Sequence, residues 1–352
     1  MEYPSFDKPK AGAFRFNTDS SQLEIYDGNQ WTGILATSPE LHTGGTRGVI
    51  FGGYAANDQI GWINIATAGN EVDSGGDMLN ARYGQECVAD RTRGIACGGR
   101  NDPSPGADTD VIEYVTIATT SNGTDFGDLM SGQGWGQRAA CSDSTRGIIG
   151  GGYQNPQSTS AKNIISYITI QTTGNAQDFG DLTQAKTALM ATSSPTRGVW
   201  IGGRTGPGVG DKVATIEYST IATLGNNADF GDLTAATSHI AACSNAVRAL
   251  SGMGYISPSA NTATNTIEYV TIATLGNSLD FGDSTRAHYN LKACSSSTRG
   301  VFVGGGTPSS PYNTNTMDYG QFASTGNLID FGDLLDANNE AAGCTSNGHG
   351  GL

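Results

Sequence analysis

The sequence predicts an all-β fold: a six-bladed β-propeller with four-stranded blades, behind a small N-terminal β-hairpin element. Three observations carry this expectation. A unit of about 50 residues recurs six times along the 352-residue chain. Each unit holds short runs of Val, Ile, Tyr and Thr bounded by Gly, Asn, Pro and Ser, which is the pattern of strands and turns. No segment sustains an apolar period of 3.6 residues with caps, so helices should be few. Composition agrees. With 51 Gly, 15% charged and 8% aromatic residues, the chain does not read as a helical bundle or coiled coil, and 37% apolar residues argue against charge-driven disorder.

In chain order, residues 1–34 come first and differ from the rest. Ala11-Gly12-Ala13-Phe14-Arg15-Phe16-Asn17-Thr18-Asp19 leads through Ser20-Ser21 to Gln22-Leu23-Glu24-Ile25-Tyr26. Asp27-Gly28-Asn29-Gln30 then leads to Trp31. Strand, polar turn, alternating strand, Asp-Gly turn and strand make a hairpin meander. Residues 35–45 read as a linker.

The repeats occupy residues 46–352, with blades beginning near 46, 83, 136, 187, 238 and 289. Arg47, Arg93, Arg146, Arg197, Arg248 and Arg299 mark them, at gaps of 46, 53, 51, 51 and 51 residues. Five of these Arg precede Gly; the sixth precedes Ala249. A glycine pair follows each Arg by five and six places, except that Met253-Gly254 takes this place in the fifth unit. Next comes an apolar run such as Ile112-Glu113-Tyr114-Val115-Thr116-Ile117, then Asn at 70, 122, 175, 226, 277 and 327. Asp-Phe-Gly-Asp ends the unit at 125–128, 178–181, 229–232, 280–283 and 330–333. Each unit thus offers four strand-like runs, A to D. In the sixth these are 290–296, 300–305, 316–323 and 328–334. The first unit lacks run A, while 340–346 resembles a run A without its own B. The C-terminal run should therefore complete the first blade and close the ring, leaving no exposed inner edge.

The order of apolar strand, Gly-Gly, variable loop, Tyr-bearing strand, aromatic-bearing strand and a run like Ala81-Arg82-Tyr83-Gly84 resembles kelch repeats over residues 46–346. Kelch units carry a Trp on the last strand, where this chain has Phe126, Phe179, Phe230, Phe281 and Phe331. Residues 11–31, with Arg15 among aromatics, Asn17-Thr18-Asp19, Tyr26-Asp27-Gly28 and Trp31, resemble a short element of bacteriophage tail-fibre and other virion proteins. The repeats themselves, with Asp-Phe-Gly-Asp-Leu and Thr-Arg-Gly, look like marine-phage virion proteins. The resemblance implies a non-enzymatic virion structural protein, a tail-fibre or tail-tip component assembled in the host cytoplasm. The N-terminal element would attach to other virion proteins, copies of the chain would associate in the virion, and propeller loops would contact a host-surface glycan or protein. Two other classes compete: a capsid-decoration or tail-adaptor protein without a receptor, and a propeller enzyme acting on glycans.

Candidate chemistry is sparse. No Gly-x-Ser-x-Gly, His-x-His or Cys-x-x-Cys spacing is present, so no catalytic residue, metal or cofactor is expected. A glycosidase needs a unique carboxylate pair, whereas the acids here recur once per unit. His239 and His288 fall near the entry to run A in neighbouring units, where one shared site is conceivable. Calcium at Asp125 and Asp128 is a weak alternative, because the strings match no calcium loop. Six Cys stand at 87, 97, 141, 243, 294 and 344. All except Cys97 take the same place in run A of different blades, too far apart to bridge, so six free thiols are expected. The in-phase Arg and Asp128, Asp181, Asp232, Asp283 and Asp333 suggest an Arg–carboxylate brace tying the A–B turn to strand D. A ring of six Arg binding an anion is the sharper alternative.

Binding is expected on the B–C loops, which differ in every unit, whereas the A–B and C–D turns are nearly uniform. Tyr54, Asp102, Tyr153, Arg204, Tyr255 and Tyr312 are the candidate contact residues, since Tyr gives contact area at low entropic cost. A net charge of −14 without a basic run argues against nucleic acid, and no apolar run approaches the ~20 residues of a membrane span. The N-terminus shows no secretory signal.

Overall fold

The computed structural model describes residues 9–17, 22–33, 45–53, 57–101, 109–130, 135–153, 161–206, 208–256, 262–310, 312–338 and 343–352. Backbone contacts divide the chain into Met1–His42 and Thr43–Leu352. The fold is all-β, with almost no helix.

In the first unit, Phe14–Asn17, Gln22–Tyr26 and Trp31–Gly33 form an antiparallel three-stranded sheet in that order. Asp27 makes its turn by accepting the Asn29 and Gln30 N–H groups on Oδ1, at 2.7 and 2.8 Å. Arg15 lies 4.5 Å over the Trp31 ring and pairs with Glu24, which also accepts from Asn17. The residues that carry the sequence resemblance are thus the ones that hold this small sheet together.

Thr43–Leu352 is built of antiparallel four-stranded sheets, six among the described residues. The second strand of each starts on the recurrent Arg. The first sheet runs Gly343–Ser346, Arg47–Gly53, Asn57–Asn64 and Val72–Asp77, so the C-terminal run pairs with the first unit as expected, with Cys344 opposite Ile50. The second runs Glu86–Ala89, Arg93–Cys97, Val111–Thr116 and Thr124–Asp128, and the third Trp135–Ser142, Arg146–Tyr153, Lys162–Thr169 and Gln177–Lys186. The fourth runs Met190–Ser193, Arg197–Ile201, Thr215–Thr220 and Ala228–Asp232. The fifth is Ala241–Ser244, Arg248–Gly252, Thr266–Thr271 and Leu279–Asp283, and the sixth Lys292–Ser295, Arg299–Val303, Thr314–Gln321 and Ile329–Asn338. First strands of successive sheets touch, and Gly343–Ser346 in turn touches Glu86–Ala89. Apolar side chains fill the space between neighbours. Ile148 and Phe179 of the third sheet, for example, share a buried cluster with Trp200 of the fourth.

The recurrent motifs are spent on contacts between sheets. In Asp-Phe-Gly-Asp, the last Asp donates its N–H to the Asn Oδ1 of the next sheet: Asp128 to Asn175 at 3.1 Å, Asp181 to Asn226 at 3.1 Å and Asp232 to Asn277 at 3.0 Å. Asp283 and Asp333 do the same to Asn327 and Asn70. The Gly of the motif has φ near +150°, and a Cβ on Gly180 would collide with the Gly225 carbonyl of the next sheet, so no other residue fits.

The Arg–carboxylate brace is corrected by the structure. The recurrent Arg residues donate to main-chain carbonyls of the next sheet, not to the Asp carboxylates. Arg197 reaches Ile272 O and Ala273 O at 2.9 and 3.0 Å, and Arg146 reaches Ile221 O and Ala222 O at 3.1 and 3.0 Å. Arg47, Arg93 and Arg248 reach Ala118 O, Ile170 O and Phe322 O, and Arg299 returns to Ile65 O and Ala66 O of the first sheet. Each guanidinium also lies 4.2–5.0 Å over an aromatic ring of its own sheet, Trp62 in the first and Tyr114, Tyr167, Tyr218, Tyr269 and Tyr319 in the others. A strand end exposes carbonyls that need donors, and the fork of Arg can serve two at once. The Asp residues stand on the fourth, edge strands, and the bonds they make to the Asn of the next sheet come from their backbone N–H.

The cysteines are free, but they do not share one place. Cys141, Cys243 and Cys294 lie opposite the residue two after the Arg of their sheet, whereas Cys87 and Cys344 lie opposite the residue three after it. One step along a strand turns the side chain to the other face. The first three pack on the glycine following the next sheet's Arg: a Cβ there would sit 2.8 Å from Cys141 at Gly198 and 2.9 Å from Cys294 at Gly48. The single exception to Arg-Gly, Ala249, faces a sheet whose equivalent residue is Thr192.

Candidate functional site

The first strands enter the molecule from the side of the B–C loops, and there a cavity of about 150 Å³ opens. Its rim is set by a backbone device. Five residues, each five before the residue that ends a first strand, take a left-handed conformation there: Gly84 (φ +67°), Ala188 (+54°), His239 (+58°) and Asn290 (+55°) two residues before their strands, and Gln137 (+59°) within its longer strand. All five line the cavity. Four of these backbones are linked in series, Ala188 N–H to Gln137 O at 2.8 Å, His239 N–H to Ala188 O at 2.8 Å and Asn290 N–H to His239 O at 3.0 Å. Non-glycine residues rarely adopt this conformation, and such positions cluster at functional sites. The link gives the reason at three of them: the turn aims the N–H of Ala188, His239 and Asn290 at the preceding sheet.

Polar groups converge on this cavity over an apolar floor that includes Leu189, Met190 and Ile240. Arg100, Arg138 and Lys292 face it with one carboxylate, Glu86, which is ion-paired to Lys292. Burial pushes the Glu86 carboxyl upward, against the pull of Lys292 and Arg138. Arg204 stands behind the rim and donates to Gln137 Oε1 at 3.2 Å. The wall is thus cationic in a chain of net charge −14. His239 is held neutral, its pKa depressed to about 3 by burial and by Arg204 and Lys212. Its Nε2 lies 3.2 Å from Gln137 Nε2, and its Nδ1 lies 3.0 Å from Ser238 Oγ. An amide nitrogen can only donate, so Nε2 accepts and Nδ1 carries the proton. Tyr255 meets the His239 ring edge-on at 5.3 Å and stacks on Tyr289 at 4.4 Å.

Of the residues expected to bind, Tyr153 lines the cavity, while Arg204 and Tyr255 brace its rim. Tyr312 is 63% exposed on its loop and is not part of the lining. Tyr54 and Asp102 lie outside the described residues. The structure separates His239 from His288: His239 lines the cavity, whereas His288 is buried between sheets near Asp318 and Arg286. No group of His, Cys, Asp and Glu among the described residues is placed to hold a metal ion.

Two features escaped the sequence reading. Gln137, Ala188, His239 and Asn290 stand 51 residues apart, at a phase where residue type changes from unit to unit. Ser142, Ser193, Ser244, Ser295 and Ser346 also stand 51 apart, at the other end of the first strands. There each Oγ donates to the carbonyl of the preceding sheet, as Ser193 does to Ser142 O at 2.7 Å and Ser244 to Ser193 O at 2.6 Å. The series stops at Ala89, whose carbonyl lies 2.8 Å from His349 Nε2. Residues 350–352 are buried against this serine end, where a Cβ on Gly351 would collide with Ser142 O. No protein-family model matches the chain, and no curated protein matches it.

Proposed function

We propose that residues 43–352 form a six-bladed, kelch-like β-propeller closed by Gly343–Ser346, acting as a recognition module without catalysis. Its site is the cavity on the B–C loop side, and its ligand is a small polar group such as the terminal sugar of a host-surface glycan. One observation carries the binding reading. Four rim positions share one strained backbone conformation yet carry Gln137, Ala188, His239 and Asn290, converging on a single cavity, while the uniform positions serve contacts between sheets. The cavity, about 150 Å³, is smaller than the ~300–1,000 Å³ of drug-sized sites, which suits a chain end better than a chain. Cations, amides and Tyr153 over an apolar floor suit hydroxyls and ring faces together. Catalysis of glycoside cleavage asks for two carboxylates; Glu86 faces the cavity already paired to Lys292.

The setting we propose is a tailed-bacteriophage virion, with the chain in a tail fibre or tail tip and the N-terminal sheet as its attachment element. The likeness of residues 11–31 to virion elements supports it. The full chain, labelled and applied to a glycan array and to candidate host cells, tests the binding reading. Gln137→Ala with His239→Ala should abolish retention without loss of folding, as should replacement of 153–163 and 255–265 by Gly-Ser segments. Retention equal to wild type in both variants would refute the site. Immunogold labelling of virions, with label away from the tail, would refute the setting.

A further inference from the structure

A second site emerges from comparing the seams between sheets. In four of the six sheets an acid on the third strand, Glu113, Glu217, Glu268 or Asp318, accepts a main-chain N–H from the end of the preceding sheet's fourth strand or just beyond it; the third and first sheets carry Ser166 and Gly61 at that place. Glu113 accepts from Leu79 at 2.7 Å, Glu217 from Thr183 at 2.7 Å and Glu268 from Thr234 at 3.2 Å. These acids are buried, and a buried carboxylate needs a cation or several donors. In two of these seams the residue five places after the last Asp of the preceding repeat supplies the cation, and at Asp318 that place is held by His288. Arg82 pairs with Glu113 at 2.6 Å, both no more than 1% exposed, and Lys186 pairs with Glu217, equally buried. Between the fourth and fifth sheets that position is Thr237, too short to reach. A cavity of about 110 Å³ remains, lined by both Thr237 and Glu268.

We propose that this cavity binds an organic cation head, a guanidinium or primary ammonium, in the place that Arg82 and Lys186 fill in two other seams. Glu268 takes Thr234 N–H, Thr234 Oγ and Ser278 Oγ. A carboxylate offers about four acceptor directions, so one direction remains for an incoming donor. Thr264 and Thr266 line the same cavity; Thr215, the counterpart of Thr266, lies 3.3 Å from Lys186 Nζ in its own seam. Leu233, Ile240, Met253 and Ile256 supply apolar walls, against which a guanidinium face or a methylene stem packs well. The volume exceeds the space one water needs several-fold. This site is separate from the proposed recognition function and does not depend on it.

The test uses the full chain with methylguanidinium and n-propylammonium as free cations, and an acetylated arginine amide as a side-chain mimic. Calorimetry should show one site with a dissociation constant of roughly 1 mM for at least one of them, within the range open to so few atoms. Binding by the free cations alone would identify a small-molecule site; tighter binding by the arginine amide would identify a partner's side chain. Thr237→Arg places a tethered guanidinium in the cavity, so it should raise the melting temperature and abolish binding of every probe. Lys186→Ala opens the same cavity one seam earlier and should gain a second propylammonium site. If no probe binds wild type at 20-fold above the expected constant, or if Thr237→Arg binds the probes as wild type does, the inference is overturned.

Discussion

Ser142, Ser193, Ser244, Ser295 and Ser346 finish one end of the first strands with the same hydrogen bond, while Gln137, Ala188, His239 and Asn290 open the other with four side chains on one backbone conformation. At the serine end the side chain itself must reach a neighbour's carbonyl, so a single residue type serves. At the open end the backbone makes the link and the side chain is released toward the cavity. Uniformity therefore marks positions that hold sheets together, and variation at a constrained backbone marks positions available for recognition.

The largest effect is expected at the serine end. Removing residues 343–352 takes the edge strand from the first sheet, together with the Asn347 and His349 bonds. The melting temperature should fall by at least ~10 °C; an unchanged melting curve would mean the uniform end holds nothing. Next in size is Gly180→Ala, which meets both the positive φ and the Gly225 carbonyl. Urea unfolding should register a loss of about 3 kcal/mol.

A third test uses pH. Glu71 occupies the acid place in the seam between the sixth and first sheets, accepting Leu335 N–H at 2.9 Å. Unlike Glu113 and Glu217 it has Asp73 and Asp336 near it, and burial raises its pKa from 4.5 to about 7. The folded state therefore holds this proton more tightly than the unfolded chain. The associated stability is fully present below about pH 4.5, declines between 4.5 and 7, and is gone above 7, a span on the order of 3 kcal/mol. Unfolding free energies across that window should lose this component in Glu71→Gln; an identical pH profile would refute the assignment.

Arg197→Ala removes two carbonyl bonds and a ring contact, and should cost about 1.5 kcal/mol by chemical denaturation. The smallest stability effect belongs to the open end. His239→Gly relieves a strained φ worth about 1 kcal/mol while losing the Tyr255 contact, so stability should stay within about 1 kcal/mol of wild type. Glycan retention should be lost all the same, and a variant that binds normally would show the rim to be structural.

Much of this molecule is legible in its sequence because the repeat is short-ranged. Strand runs, turns, the pairing of the C-terminal run with the first unit, and the structural use of the recurrent Arg and Asp-Phe-Gly-Asp all follow from spacing. The partners of those motifs were not legible. Arg197 and Asp232 recur in phase, which suggests an ion pair, but phase says nothing of distance across a seam. Only the packed sheets bring Ile272 O, rather than a carboxylate, within reach of Arg197.

Residue type and period decided which segments become strands, since alternation and turn chemistry act over a few neighbours. They also set the six units and the thiols' placement near the first strands. Tertiary structure decided what the side chains meet: the one-residue offset of Cys87 and Cys344, the neutral His239 beneath Arg204 and Lys212, and the cavity left where Thr237 replaces a cation. Those outcomes depend on atoms about 30 or more residues apart in the chain, whose approach is fixed by how one sheet leans on the next.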